Sequence, residues 1–157
     1  AGPLDLARAF VGAGMAVAGE PTFLLGGFLR AGMGLDAALS RFAFTLSLLQ
    51  APAEVGRVAA EMCEDAAREG LGTLEIRFAP QLHRGATVEH IVDAALEGAA
   101  GRAGLILCGL YGEAPAVLEG LVELAASRPG VVGIDLAGGP APGHDFGMEA
   151  YARAFND

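Results

Sequence analysis

The sequence predicts an α/β fold, a partial TIM (β/α)8 barrel with about three parallel strands and flanking helices. Three apolar segments have the composition of strands, namely residues 73–80, 104–110 and 130–139. Helical patterns separate them, and successive strands begin about 30 residues apart, which is the length of a βαβ repeat. Strands connected in this way pair in parallel through right-handed crossovers.

The composition indicates one packed, acidic domain. The chain has 157 residues, of which 53% are hydrophobic and 18% are charged, so most of it should pack around a core. Ten basic residues against nineteen acidic ones give a formal charge of -9. This excess of carboxylates argues against nucleic acid and against an anionic membrane surface as partners.

Several features predict a cytoplasmic location. No apolar run reaches the roughly 18 residues that a membrane span needs. Residues 10–19 have the apolar character of a signal-peptide centre, but only Arg8 precedes them and Asp5 cancels its charge. Cys63 and Cys108 lie inside a helical and a strand pattern, which predicts two buried thiols in a reducing compartment.

The first part of the chain divides into a region without a clear pattern and a helical one. Residues 1–34 are a Gly-rich apolar helical region that stays unassigned. The second region is residues 35–157, where the barrel pattern begins. Its first helix has apolar residues at helical spacing: Leu35, Ala38, Leu39, Phe42 and Leu46.

Helix boundaries in the second region follow from prolines, glycines and one capping residue. Pro52 opens a helix that stops at Gly70. Thr87 caps the next helix, which runs to about Ala100, and another helix follows Pro115. A last helix is predicted over Met148 to Phe155.

Polar residues within the strands favour a barrel over an open doubly wound sheet. Glu75 and Arg77 alternate with apolar residues in the first strand, and Asp135 stands near the end of the third. Helices cover both faces of a doubly wound sheet, whereas one face of a barrel strand points to the lumen. The alternative is that Glu75 and Arg77 face solvent on an edge strand. Three strands leave two open edges, so the segment is expected to be part of a larger fold.

Two motifs make a specific family resemblance. "EIRFAPQLH" at residues 75–83 and "VVGIDLAG" at residues 131–138, at this separation, resemble strands of the adenosine deaminase family. The resemblance extends over residues 35–157 and includes "GLILCGL" as the intervening strand. It implies a zinc-dependent (β/α)8 hydrolase of the amidohydrolase kind. Such an enzyme removes the amino group of adenosine or a related aminopurine, so the expected partner is a small purine nucleoside.

The resemblance also implies substrate-binding residues. The backbone of Gly138 is expected to approach the purine ring, which a side chain would prevent. Leu39 and Phe42 match apolar positions of a lid helix, although Ala38 and Ala43 depart from the family pattern. Asp135 is expected to face the lumen and support the site without a catalytic role.

No catalytic residue and no metal ligand is assigned in this chain. The His-x-His pair of the family has no match here, and the other zinc ligands and the catalytic Glu are expected beyond the fourth family strand. Zn2+ is therefore expected in the full-length family enzyme and not in this chain, which alone is predicted to be inactive. A zinc site from His83, His144 and Asp135 is the less favoured reading, because no spacing motif links them. His90 is expected to be a solvated helix residue.

Two other functions remain open. The first is a non-catalytic half-barrel that self-associates through exposed sheet edges or acts as a binding module. The second is a complete small α/β binding protein that keeps only the family scaffold. Which aminopurine is the substrate stays undecided, because the residues that read the sugar are expected elsewhere.

Overall fold

A computed structural model of the chain describes residues 32, 34, 45–138 and 145–156. The predictions for residues 1–31 and for most of the helix from residue 35 therefore lie outside the described residues. The same holds for several single residues of the sequence argument: Ala38, Leu39, Phe42, Ala43 and His144.

The three predicted strands form one parallel sheet in the order β1-β2-β3. Strand β1 is Glu75–Phe78, β2 is Gly104–Leu110 and β3 is Val131–Ala137. Val132 is an extra residue in β3, because Leu105 pairs with Val131 while Ile106 pairs with Gly133. The predicted α/β fold with three parallel strands is confirmed.

Three α-helices lie where the sequence places them: α1 Pro52–Arg68, α2 Val88–Ala99 and α3 Pro115–Ala126. Prolines occupy the first turns of α1 and α3, where no backbone donor is lost. Thr87 accepts a hydrogen bond from the His90 amide at 3.4 Å, so the predicted cap of α2 is confirmed. Gly70 has a φ of +74°, as a residue that ends a helix commonly does.

Two short 3-10 helices complete the described fold, Pro80–Leu82 and Met148–Phe155. The second was predicted as an ordinary helix. Its bounds are right, but its hydrogen bonding is of the tighter kind, with one bond from the Ala150 amide to the Gly147 carbonyl at 3.1 Å. Apolar spacing over eight residues does not distinguish the two forms.

All three α-helices pack on one face of the sheet. Val55 and Ala59 of α1 share a buried cluster with Ile76 of β1. Leu121 of α3 shares a second cluster with Leu107 of β2. The opposite face carries the polar residues, and no helix of the described residues covers it. This one-sided covering is the arrangement expected of barrel strands, which have one face toward helices and one toward the lumen.

Candidate functional site

The candidate site is the mouth of the sheet, which we define as residues 79–83, 111–113 and 138. These residues directly follow the carboxyl ends of β1, β2 and β3. Ligands of parallel α/β proteins bind at this end, because the loops there vary while the strands hold them in place.

An ion pair crosses the helix-free face just below the mouth. Arg77 of β1 bonds through Nη1 to Oδ2 of Asp135 on β3, so the pair spans the middle strand. Cys108 of β2 lies beneath it, with Sγ 3.9 Å from Oδ2 of Asp135. Asp135 therefore faces the lumen side, and its carboxylate is neutralised by a partner rather than free for proton transfer.

Both cysteines are buried free thiols within the described chain, as the sequence predicts. Cys108 is only 6% exposed although no described helix covers its face. Burial raises the pKa of the Cys108 thiol, and the negative charge of Asp135 raises it further. The thiol is therefore protonated at neutral pH and a poor nucleophile.

His83 has a structural position that the sequence did not predict. It is 7% exposed, its Nδ1 bonds to the Leu49 carbonyl oxygen, and its ring lies edge-on to Phe78. A carbonyl oxygen only accepts, so Nδ1 carries the proton and is not a metal-binding atom. His83 thus ties the segment before α1 to the end of β1. His90 is exposed in the first turn of α2, as expected.

A hydrogen-bond network joins the two strand-end loops of the mouth. The Gln81 side-chain amide donates to the Cys108 carbonyl at 3.2 Å and to the Glu113 carboxylate at 2.9 Å. The same carboxylate oxygen accepts the Leu110 amide at 3.0 Å. Sequence reasoning assigned no role to either residue: Gln81 lies inside the motif EIRFAPQLH, but nothing in the local sequence shows that its amide meets Glu113.

The buried Tyr151 of the C-terminal 3-10 helix fastens the loop after β2. Its hydroxyl donates to the Glu113 carbonyl at 2.6 Å and accepts the Gly112 amide at 2.9 Å. Its ring also meets the Tyr111 ring edge-on, with 5.8 Å between the centroids. The apolar spacing around Tyr151 in the sequence indicates that this side chain is buried. The sequence does not indicate which groups its hydroxyl bonds.

Gly138 stands at the end of β3 with a φ of +87°, a conformation that favours glycine. Among the described residues other than its chain neighbours, a Cβ built there would have one atom within 4 Å, Leu110 Cδ2 at 4.0 Å. The preceding carbonyl, that of Ala137, accepts the Tyr111 amide at 2.8 Å. The backbone of Gly138 is exposed, and the described residues leave space beside it.

The described residues do not fit a zinc site. Among them, no group of three or more His, Cys, Asp or Glu side chains is placed to hold a metal ion. Asp135 is paired with Arg77, so its carboxylate is not free. No step of a reaction is therefore assigned to a metal held by these residues. In the described part of the chain, no helix has the length and apolar character to cross a membrane.

Comparison with known proteins decides the family. The family model for adenosine deaminase matches residues 27–157. The chain belongs to the adenosine deaminase family. A probable adenosine deaminase from Dictyostelium discoideum is 34% identical over 134 residues, which cover 78% of this chain and 17% of the relative.

Solved members of the same fold superpose on most of the chain. The apo N6-methyl-AMP deaminase from Arabidopsis thaliana matches with a TM-score of 0.71 and 25% identity, over 96% of this chain and 48% of that one. An amidohydrolase from Burkholderia ambifaria with bound zinc matches with a TM-score of 0.70 and 20% identity, over 95% and 44%. The latter shows the fold alone. The chain spans less than half the length of these relatives, and the likeness confirms a partial (β/α)8 barrel.

Proposed function

We propose that this chain supplies three consecutive strands of a zinc-dependent hydrolase that deaminates adenosine or a related aminopurine. The observation that carries the proposal is the family match over residues 27–157. The fold supports it, because the polar side of the sheet is free of described helices and its strand ends form a mouth. The structurally similar N6-methyl-AMP deaminase is named for an aminopurine nucleotide. The proposal therefore does not specify which sugar or phosphate groups the substrate carries.

We further propose Gly138 as a substrate contact, together with Leu39 and Phe42. Support for Gly138 comes from its left-handed backbone, its exposure and the space that the described residues leave beside it. A flat purine ring can approach such a peptide closely, because no Cβ stands between them. For Leu39 and Phe42 the support is the sequence resemblance, as both lie outside the described residues.

The zinc ligands of the proposed enzyme are not among the described residues of this chain. One of the solved neighbours holds zinc, and a bound zinc ion would supply an activated water for attack on the purine. The 157-residue chain on its own is accordingly proposed to be inactive.

A deamination assay tests the proposal. The polypeptide encoded by the complete gene and the isolated 157-residue chain are each given zinc with adenosine, adenine, AMP or N6-methyl-AMP. Product formation is followed by the fall in aminopurine absorbance and by release of ammonia or methylamine. We expect turnover of at least one compound by the complete polypeptide and none by the isolated chain. A complete polypeptide that releases no amine from any of them would contradict the proposed activity, and turnover by the isolated chain would contradict its inactivity.

The alternative function is a half-barrel that self-associates through its sheet edges. Its support is that β1 and β3 are the outer strands of the described sheet and pair with β2 alone. Light scattering of the isolated chain over a range of concentrations distinguishes the two. A discrete dimer with a cooperative thermal transition favours the binding module, and a heterogeneous aggregate favours a segment of an enzyme.

We also propose a cytoplasmic location, and a domain boundary between residues 34 and 35. The unpaired buried thiols Cys63 and Cys108 support the location. Cell fractionation and limited proteolysis test these two proposals. Recovery with exported proteins would contradict the first, and protection of residues 1–34 against cleavage at all their sites would contradict the second.

A further inference from the structure

We propose that Tyr151 and Glu113 are positioning residues for the purine site, because they fix the loop whose Tyr111 amide orients the Ala137–Gly138 peptide. The inference rests on the proposed function, in which the Gly138 backbone contacts the substrate. It extends that function to residues that do not themselves touch the ligand.

The Tyr151 hydroxyl makes two hydrogen bonds to the same loop, one as donor and one as acceptor. It donates to the Glu113 carbonyl and accepts the Gly112 amide, at 2.6 and 2.9 Å. Tyr151 is 2% exposed, so water does not compete freely for these bonds. A single buried hydroxyl therefore holds two adjacent residues of the loop after β2 in place.

Glu113 holds the same loop from within. Its amide donates to the Leu110 carbonyl at 3.0 Å, and its carboxylate accepts the Leu110 amide at 3.0 Å. The carboxylate also accepts the Gln81 side-chain amide from the loop after β1. The turn that follows β2 is thus closed on itself and attached to the neighbouring loop.

The Tyr111 amide connects this fixed loop to the end of β3. Its amide donates to the Ala137 carbonyl at 2.8 Å. The Ala137 carbonyl and the Gly138 N–H belong to one peptide unit, and in a trans peptide these two groups point in opposite directions. Holding the carbonyl toward β2 therefore directs the Gly138 N–H away from β2. Among the described residues that N–H has no acceptor, so it is available to a ring nitrogen of a ligand.

A loosened loop would let the Ala137–Gly138 peptide rotate, and the ligand would have to restrain it on binding. As proposed, the Gly138 N–H bonds a ring nitrogen and not the carbon that loses its amino group. Loss of this bond should therefore weaken ground-state and transition-state binding alike, which raises KM and leaves kcat nearly unchanged.

The test uses the polypeptide encoded by the complete gene, three variants of the loop contacts and one control variant. Tyr151→Phe keeps the ring that packs on Tyr111 and removes only the hydroxyl. Glu113→Ala removes the carboxylate, whereas Glu113→Gln keeps an oxygen that accepts the same amides. Glu119→Gln is the matched control, because it neutralises a carboxylate that pairs with Arg153 of the same 3-10 helix at 3.9 Å.

We expect faster hydrogen exchange of the Gly112 amide in Tyr151→Phe and a rise in KM of about tenfold, with kcat within about threefold. Glu113→Ala should give a similar rise in KM, and Glu113→Gln should restore most of it. Glu119→Gln should match the unmodified protein in both measurements.

Two results would overturn the inference while the proposed function stands: an active enzyme whose KM is unchanged in Tyr151→Phe and Glu113→Ala, or variants whose kcat falls in step with their loss of folded protein. Failure of the unmodified polypeptide to deaminate or bind any aminopurine would overturn the proposed function, and this role with it.

Discussion

Arg77 and Asp135 form an ion pair across the middle strand of the sheet, although 58 positions separate them in sequence. The pair covers the Cys108 side chain on the face that no described helix covers. It also accounts for the positions of Arg77 and Asp135, which lie on the same face of the sheet. Each neutralises the other on the helix-free side of the sheet, where both side chains keep part of their surface exposed.

The first prediction concerns the reactivity of Cys108. In a Cys63→Ala background, Asp135→Asn should speed alkylation of Cys108 several-fold at pH 8. Removing the carboxylate removes a cause that raises the thiol pKa, so more thiolate is present, and it releases the Arg77 side chain that helps cover the sulfur. The rate is measured with iodoacetamide across pH 7 to 10, and its midpoint should move to lower pH.

Glu75→Gln is the control for this measurement, because Glu75 is an exposed residue of the same strand as Arg77. It should leave the alkylation rate unchanged. An unchanged rate in Asp135→Asn would show that the carboxylate does not influence the thiol.

The second prediction concerns the crossing of α1 and α2. A Cβ added at Gly98 would overlap the Gly56 carbonyl oxygen, and one added at Gly56 would lie 2.8 Å from the Ala94 oxygen. Gly98→Ala should therefore lower the free energy of unfolding by about 1–3 kcal/mol, despite the better helix propensity of alanine. Urea denaturation followed by circular dichroism measures the change.

Gly120→Ala in α3 is the matched control, since no described atom beyond its own stretch of helix lies within 4 Å of a Cβ at that position. It should raise the free energy of unfolding by about 0.5–1 kcal/mol through helix propensity alone. Equal effects of the two substitutions would contradict the close helix crossing.

The third prediction separates backbone strain from ligand contact at Gly138. Gly138→Ala and Gly70→Ala each place a side chain on left-handed backbone, with φ of +87° and +74°. Both should cost about 1–2 kcal/mol of stability. In the polypeptide encoded by the complete gene, only Gly138→Ala should also weaken purine binding, because only there does the Cβ stand at the mouth. Isothermal titration with inosine measures this binding, and equal affinities of the two variants would count against Gly138 as a contact.

The fourth prediction is a pH dependence of the bond between α2 and the end of α3. Arg128 donates to Asp93 from Nε at 2.7 Å and from Nη2 at 3.2 Å. The hydrogen bond from Arg128 holds the pKa of the Asp93 carboxyl below its ordinary value. A carboxyl with a depressed folded-state pKa stabilises the fold above its unfolded pKa, and this contribution is lost as pH falls through the folded value.

Arg128→Met should therefore lower stability by less than about 1 kcal/mol at pH 7, since half of the Asp93 side chain is exposed and solvent screens the pair. The difference from the unmodified protein should stay constant between pH 6 and 8 and shrink below about pH 4. Thermal denaturation at several pH values measures it. A difference that grows on acidification would have the wrong sign for this bond.

Local signals were sufficient for the element boundaries. Pro52 and Pro115 open their helices where expected, Thr87 caps α2, and the segment GLILCGL is a strand over its whole length. These features depend on residues within one turn or one strand, so a single sequence carries them. The strand motifs also carried the family resemblance, because they combine apolar alternation with fixed polar positions.

Contacts between distant loops could not be predicted in the same way. His83 was expected to be an ordinary loop residue, yet it is buried against the Leu49 carbonyl. No local spacing pattern links Glu113 and Tyr151, yet the Tyr151 hydroxyl donates to the Glu113 carbonyl at the mouth. Their partners lie 34 to 38 residues away in sequence, and no local spacing encodes such a meeting.

The sequence by itself determined the parallel βαβ order, the one-sided apolar pattern of the helices and the family. Hydrophobic periodicity and the positions of Pro and Gly are properties of short segments, so a single sequence contains them. Only the tertiary structure decided that Arg77 neutralises Asp135, that His83 is an anchor and that Tyr151 fixes the loop beside Gly138. The physical reason is that side-chain hydrogen bonds depend on distances of a few ångströms, which are set only once the helices have packed on the sheet.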